Sequence, residues 1–189
     1  GNKWMDQDDI STNALDQVRI AYAGVFEGAG VEGIDRTVLL RSSGESMKVD
    51  KSKLMFGNAN IRNDYKASDK EHALALKLTG RFKSAFPQGP PADVDTEDDE
   101  EASEPDNHLA EATKDSAIIL FADADMMFND LWIRPTRSIF GQTVLQVTAD
   151  NNNLLQNVVE QLSGGSHLIA IRSGTITSRA FELIDENRA

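Results

Sequence analysis

The chain has 189 residues, of which 40% are hydrophobic and 26% charged, and it contains no cysteine. The formal net charge of −12 argues against a nucleic-acid-binding protein, whose affinity comes largely from Lys and Arg on phosphates, and against docking on anionic lipid through a basic face. Without cysteine the chain has no disulfide, no thiolate nucleophile and no cysteine-ligated metal.

The first half of the chain is predicted to be rich in strands. Residues 18–23, 37–42 and 72–82 are mainly apolar or alternate between apolar and polar side chains, the pattern of strands. Residues 43–69 are polar and irregular. We expect three strands here.

A dense acidic segment divides the two halves. Residues 93–106 contain nine acids and no base, and prolines precede them. Like charge and proline prevent burial of apolar area, so residues 87–112 are predicted to form a mobile acidic loop within the domain. A calcium-binding or partner-binding arm is the alternative interpretation, although the acids lack the Gly-centred spacing of a calcium loop.

The second half has the pattern of an α/β protein. Residues 117–122 form a continuous apolar run, typical of a strand buried on both faces of a parallel sheet. A helix is predicted across 126–132, and residues 144–147 form a short strand or turn. Asp150 is then expected to begin an amphipathic helix, which ends at the Gly164-Gly165 pair.

The last predicted elements complete a βαβ unit. Residues 168–172 form a second buried strand, and residues 178–188 a terminal helix. Strand, helix and strand in this order imply a right-handed crossover between parallel strands. We therefore expect residues 1–189 to form a single α/β domain, or the C-terminal part of a larger one.

The most chemical-looking motif is the pair Asp123 and Asp125. It follows a predicted buried strand, the position at which open α/β sheets bind ligands. The two carboxylates, with Asp130, could hold a divalent cation, as in metal-dependent glycosyltransferases. The alternative is structural: the two carboxylates cap the next helix through backbone hydrogen bonds.

A second polar cluster lies at Asp150 and Asn151. It could bind an anion at the start of a helix, or it could simply cap that helix. Arg172 could form an ion pair with Asp123 or Asp125. The three histidines are isolated in the sequence, so a histidine-based zinc site is not expected, and no catalytic constellation is found.

Several segments in order resemble the GldG-like auxiliary proteins of ABC-type transport systems, which include the system linked to gliding motility. The segments that carry the resemblance are Thr37–Ser43, Leu76–Pro87, Ala122–Met126, Phe140–Gln142, Ala149–Asn151, Leu162–Gly164 and Leu168–Ser173. Gly174 departs from the family pattern, which has Arg at that position, as do Asn152 and Asn153 in place of Gly and Asp.

The resemblance implies a fold, a location and partners. The fold would be a three-layer α/β sandwich with a mostly parallel sheet, related to amidotransferase-like or flavodoxin-like domains. The parent protein would be anchored in the bacterial inner membrane, with this domain in the periplasm beside an ABC permease and ATPase. Amidotransferase chemistry does not carry over, since it needs a cysteine nucleophile. A non-enzymatic domain without a cofactor, which binds a partner protein or the transported substrate, is therefore expected.

Overall fold

The computed structural model describes residues 3–55, 61–89 and 108–164. Its elements, in chain order, are β1 (Ile34–Arg41), α1 (Lys51–Met55), β2 (Ala73–Gly80), β3 (Ser116–Phe121), α2 (Asn129–Trp132), β4 (Ile133–Arg137), β5 (Thr143–Val147) and α3 (Asn151–Leu162).

The strands form two separate antiparallel sheets. β2 lies between β1 and β3 in the larger sheet, and β4 and β5 form a hairpin. The β1–β2 register shifts between Val38 and Arg41, so β1 is irregular near its end. Residues such as Leu39 and Leu40, at this irregularity, are fully buried.

The predicted parallel α/β sandwich is wrong. Every strand pairing in the ranges given above is antiparallel. The misleading pattern was the apolar run at 117–122, because hydrophobicity alone does not distinguish the two kinds of pairing. That run is β3, which among the described strands pairs only with β2, and Ser116–Ile118 are exposed rather than buried.

Predicted and observed elements agree in part. The expected strands at 37–42, 72–82 and 117–122 correspond to β1, β2 and β3. Residues 18–23 form no strand, and the helix expected across 126–132 is only the single turn α2. The segment at 144–147 is β5.

The long helix and its start at Asp150 are confirmed, but the predicted side-chain cap is absent. α3 follows Asp150, whose side chain makes no capping bond. Gly164 ends the helix with a left-handed φ of 79°, as expected. The strand at 168–172, the helix at 178–188 and most of the acidic loop at 87–112 lie outside the described residues.

The core lies between one face of the larger sheet, helix α3 and the N-terminal segment. Its buried apolar side chains come from these three parts and from the segment between β3 and α2: Met5, Leu15, Leu39, Leu40, Ala75, Met126, Leu154 and Val158. The N-terminal segment is fixed along β1, where Asp6 N–H donates to the Leu39 carbonyl and Arg41 N–H to the Trp4 carbonyl, each at 2.9 Å.

A buried ion pair joins the N-terminal segment to the sheet and to α3. The Asp9 carboxylate is 3% exposed and contacts the Lys77 ammonium. It also accepts bonds from Ser11 N–H at 2.9 Å and from Gln161 Nε2 at 3.3 Å. One carboxylate therefore connects a loop, strand β2 and helix α3. No helix in the described ranges is long and apolar enough to cross a membrane.

Candidate functional site

Asp123 lies at the end of β3 with 7% of its surface exposed. Its Oδ2 accepts the Ala21 N–H at 2.8 Å, and its Oδ1 accepts the Asp125 N–H at 2.9 Å. Both carboxylate oxygens therefore bind backbone donors, but they do not cap the next helix, since α2 follows Phe128 and has no side-chain cap. The Ala21 bond spans 102 residues of sequence.

Asp150 holds the same N-terminal region. Its Oδ2 accepts the N–H groups of Asp16 at 2.9 Å and Gln17 at 3.1 Å. Its own N–H donates to the Gln17 carbonyl at 2.6 Å. The residue that precedes α3 is thus bound through Oδ2 to residues 16 and 17, and its Oδ1 accepts a bond from the Asn153 side chain in the first turn of the helix at 2.9 Å.

Asn151 completes this set of contacts and is fully buried. Its Oδ1 accepts the Arg19 N–H at 3.0 Å, and its Nδ2 donates to the Arg19 carbonyl at 2.6 Å. A third bond joins Nδ2 to the Met126 carbonyl at 2.7 Å. The amide pairs with a backbone residue much as a neighbouring strand would.

Three of the predicted site residues therefore share one structural task. Asp123, Asp150 and Asn151 hold residues 16–21, which we call the clasped segment. Arg19 adds to this arrangement, since its Nη1 donates to the Leu131 carbonyl at 3.1 Å and to Thr148 Oγ1 at 3.0 Å. The clasped segment pairs with none of the strands in the described ranges, and these side chains supply hydrogen bonds to its backbone.

The structure does not gather the remaining predicted residues into a cluster. Asp125 and Asp130 are exposed, and Arg172 lies outside the described residues. Within the three ranges given above, no three His, Asp or Glu side chains are placed to hold a metal ion. The metal site at Asp123, Asp125 and Asp130 stays a prediction.

The hairpin of β4 and β5, residues 133–147, exposes several large apolar side chains; we call it the arm. Its register puts Ile133, Pro135 and Arg137 on one face with their partners Val147, Leu145 and Thr143, since residues directly opposite share a face. That face is mainly apolar and is largely uncovered: Leu145 is 68% exposed and Val147 62%.

The arm has an exposed apolar tip and a net positive charge. Ile139 is 94% exposed and Phe140 83%. The arm carries Arg134 and Arg137 and no acid, whereas the whole chain has a net charge of −12. An isolated two-stranded hairpin is marginally stable in water, so this apolar face is suited to packing against another surface.

Sequence reasoning found only part of the arm. It placed a short strand or turn at 144–147 and missed β4, because Pro135 interrupts the strand pattern. The signal that could have found it was the turn at Gly141, which has a left-handed φ of 78°, between two short runs of β-branched and apolar residues. This is a hairpin signature.

Residues 2–158 match the protein family described as "ABC-type uncharacterized transport system". The chain belongs to this auxiliary family of ABC transport systems. The match includes the clasped segment, the arm and most of α3. Neither the curated proteins nor the solved structures contain a match to the chain.

Membership in the ABC transport auxiliary family confirms the broad resemblance seen in the sequence. It links the protein to a membrane-related transport system and suggests a non-enzymatic role. The GldG-like subfamily and gliding motility are finer statements, which stay predictions.

Proposed function

We propose that this ABC transport auxiliary protein is a non-enzymatic domain that binds the transporter through the arm. The observation that carries the proposal is the uncovered apolar face of the arm, with Leu145 68% and Val147 62% exposed. Exposed apolar patches rimmed by polar residues mark interaction sites. The absence of acid on the arm suits it to a partner surface that is apolar and partly acidic.

The proposed direct partner is the permease, assembled with its ATPase. This partner is supported by family membership in an ABC transport system. The GldG-like resemblance further supports a membrane-anchored parent whose domain lies in the periplasm, where only the permease would be within reach. Binding of the transported substrate is the other role that the resemblance allows.

Photo-crosslinking from the two faces of the arm tests the proposal. The full-length parent protein, co-expressed with its transporter genes, would carry p-benzoylphenylalanine at Leu145 on the apolar face or at Thr136 on the opposite face. Both positions are exposed, so Thr136 is a matched control. We expect a permease adduct mainly from Leu145. Equal yields from the two faces, or adducts with neither transporter subunit, would contradict the proposal.

The periplasmic location can be tested separately, because the chain contains no cysteine. A single Thr136→Cys substitution on the exposed arm provides one labelling site in this domain. A membrane-impermeant maleimide should label this domain in intact cells as fully as in lysed cells. Labelling only after lysis would place the domain in the cytoplasm. The arm could then still bind the transporter, but its partner surface would not be a periplasmic one.

The glycosyltransferase-like alternative also stays open to a direct test. If Asp123 and Asp125 bound a divalent cation and a nucleotide diphosphate, manganese with the nucleotide would raise the melting temperature. Asp125→Ala is the suitable variant because Asp125 is exposed, whereas Asp123 bonds the clasped segment. A melting temperature that millimolar manganese leaves unchanged would end this alternative.

A further inference from the structure

A cleft of about 370 Å³ is lined by the residues that directly follow the clasped segment, and no residue of the arm lines it. Residues 22–25, the loop at 46–49 and strand β2 contribute to its walls. Its apolar lining comes from Tyr22, Val25, Met47, Val49, Leu54 and Leu74. This volume falls in the range of small-molecule sites, which are mainly apolar with a few placed polar groups.

Tyr22 lines this cleft in a strained conformation. Its φ is 60°, a left-handed value that a residue with a bulky side chain rarely adopts. The backbone on both sides is fixed to the end of β3, since Ala21 N–H donates to Asp123 and Gly24 N–H to the Ala122 carbonyl at 2.7 Å. The ring is left 83% exposed. Strain of this kind concentrates at functional sites.

The polar lining is a connected set of hydroxyl and imidazole groups. Ser42 Oγ accepts the backbone N–H of His72 at 3.0 Å and lies 3.0 Å from Ser46 Oγ. His72 Nε2 in turn lies 3.3 Å from Ser68 Oγ. These bonds hold the loop at 42–49 against the start of β2 and leave the cleft with a defined shape.

Lys48 is the only Lys or Arg among the described residues that line the cleft. No described lining residue is an Asp or Glu. The Lys48 ammonium forms an exposed ion pair with Glu27 at 2.5 Å, and Glu27 itself is not part of the lining. A bound anion near Lys48 would interact with an ammonium that the Glu27 carboxylate also contacts.

We propose that this cleft binds a small organic anion with an apolar, ring-containing body. The body would lie among the apolar walls against Tyr22, and a carboxylate or sulfonate would lie near Lys48. This site is separate from the arm, so its ligand does not depend on the proposed binding to the permease.

Two dyes that differ by one charge test this chemistry on the full chain. 1-Anilinonaphthalene-8-sulfonate carries a sulfonate, and N-phenyl-1-naphthylamine has the same rings without it. Both would be titrated by fluorescence against a Phe140→Ser, Leu145→Ser protein, which reduces dye binding to the arm. We expect a saturable single site that binds the sulfonate tighter than the neutral dye. Equal affinity, or no saturable site, overturns the proposal.

Tyr22→Gly separates binding from folding. Glycine accepts the left-handed φ, so the variant should be at least as stable as the parent, yet its affinity for the sulfonate should fall roughly three- to tenfold with the loss of the ring. Asp69→Gly is the matched control, because Asp69 also has a left-handed φ, of 53°, but does not line the cleft. Unchanged affinity in Tyr22→Gly would overturn the placement.

Lys48→Met tests whether the sulfonate of the dye lies near Lys48. Its affinity for the sulfonate should fall to that of the neutral dye, while the affinity for the neutral dye should not change. Lys114→Met, at an exposed position outside the cleft, removes the same charge and should leave both affinities as they were. An equal loss in the two lysine variants would show that net charge, rather than this cleft, attracts the dye, and would overturn the proposal.

Discussion

The side-chain amide of Asn151 forms the hydrogen bonds to the Arg19 backbone that a neighbouring strand would otherwise form. The amide offers an acceptor and a donor side by side, and these bond the N–H and the carbonyl of Arg19 at 3.0 and 2.6 Å. A buried backbone group without a partner is costly, and no strand of the described residues pairs with the clasped segment. The importance of Asn151 therefore lies in the backbone groups that it satisfies.

Replacing Asn151 by alanine should lower the free energy of unfolding by about 3 kcal/mol, since one buried and two partly buried backbone groups lose their partner. The measurement is the urea midpoint, with the slope checked for constancy. Asn152→Ala is the matched control, because Asn152 is the next residue of α3 and is not fully buried. A similar loss in both variants would contradict the role given to the Asn151 amide.

Asp9 shows how a buried carboxylate is kept charged. Burial alone would raise its pKa, but hydrogen bonds from Lys77 and Ser11 outweigh burial and hold the pKa below its ordinary value of 3.8. A folded-state pKa below the unfolded one stabilises the protein at pH values above the ordinary pKa. This contribution is lost as the pH falls through the folded-state pKa.

Lys77→Met should therefore lower the free energy of unfolding at pH 7 by about 3 kcal/mol, the cost of leaving one charge of a buried pair alone. Burial then dominates and raises the pKa of Asp9, so the deficit should shrink as the pH falls towards 4. Urea midpoints across this pH range measure it. Lys48→Met, which breaks the exposed pair with Glu27, should have a much smaller effect. A deficit independent of pH would contradict the argument.

At the scale of elements, periodicity located strands better than it located their partners. Residues 72–82 alternate in sequence, and β2 occupies Ala73–Gly80. The run at 117–122 correctly indicated β3, but its pairing is antiparallel. Register and direction depend on which backbones meet, and the sequence of one strand does not contain that information. Pro135 hid β4 for a different reason, since proline is permitted only at edges such as this one.

Gly80 marks the end of β2 and tolerates no side chain. Its φ is 143°, and a Cβ there would overlap the Gly33 carbonyl oxygen. Gly80→Ala should cost about 2 kcal/mol or more of stability, through backbone strain and this overlap. Gly89→Ala is the control, because Gly89 has a φ of 110° and nothing near its Cβ position. Thermal melting of both variants separates the overlap from the strain, and equal losses would show that the overlap is relieved without cost.

At the scale of the whole molecule, hydrogen bonds between residues far apart in sequence join the N-terminal segment to helix α3 and the residue before it. Asn157 donates to the Ser11 carbonyl at 3.0 Å across 146 residues, and Asp150 bonds Asp16 across 134. The sequence singled out Asp123, Asp150 and Asn151 as candidate ligand or capping residues. It did not show that they hold residues 16–21, because the alternation at 18–23 predicted a strand and carries no information about which side chains contact it.

The N-terminal segment should therefore be essential to the fold, and the tip of the arm should not. Removing residues 1–11 deletes Met5 from the core and Asp9 from its ion pair, so we expect no cooperative thermal transition. Replacing Arg137–Thr143 by Asn-Gly connects the paired residues Thr136 and Val144 through a favoured two-residue turn.

Because the tip residues Ile139 and Phe140 are exposed, the shortened protein should melt within about 2 °C of the parent. Differential scanning calorimetry of the two proteins gives both results. A cooperative transition in the truncated chain would mean that the sheet and α3 form a core without the N-terminal segment. A large loss on shortening the arm would mean that its tip supports the fold, and the arm would then be a poor candidate for a surface reserved for a partner.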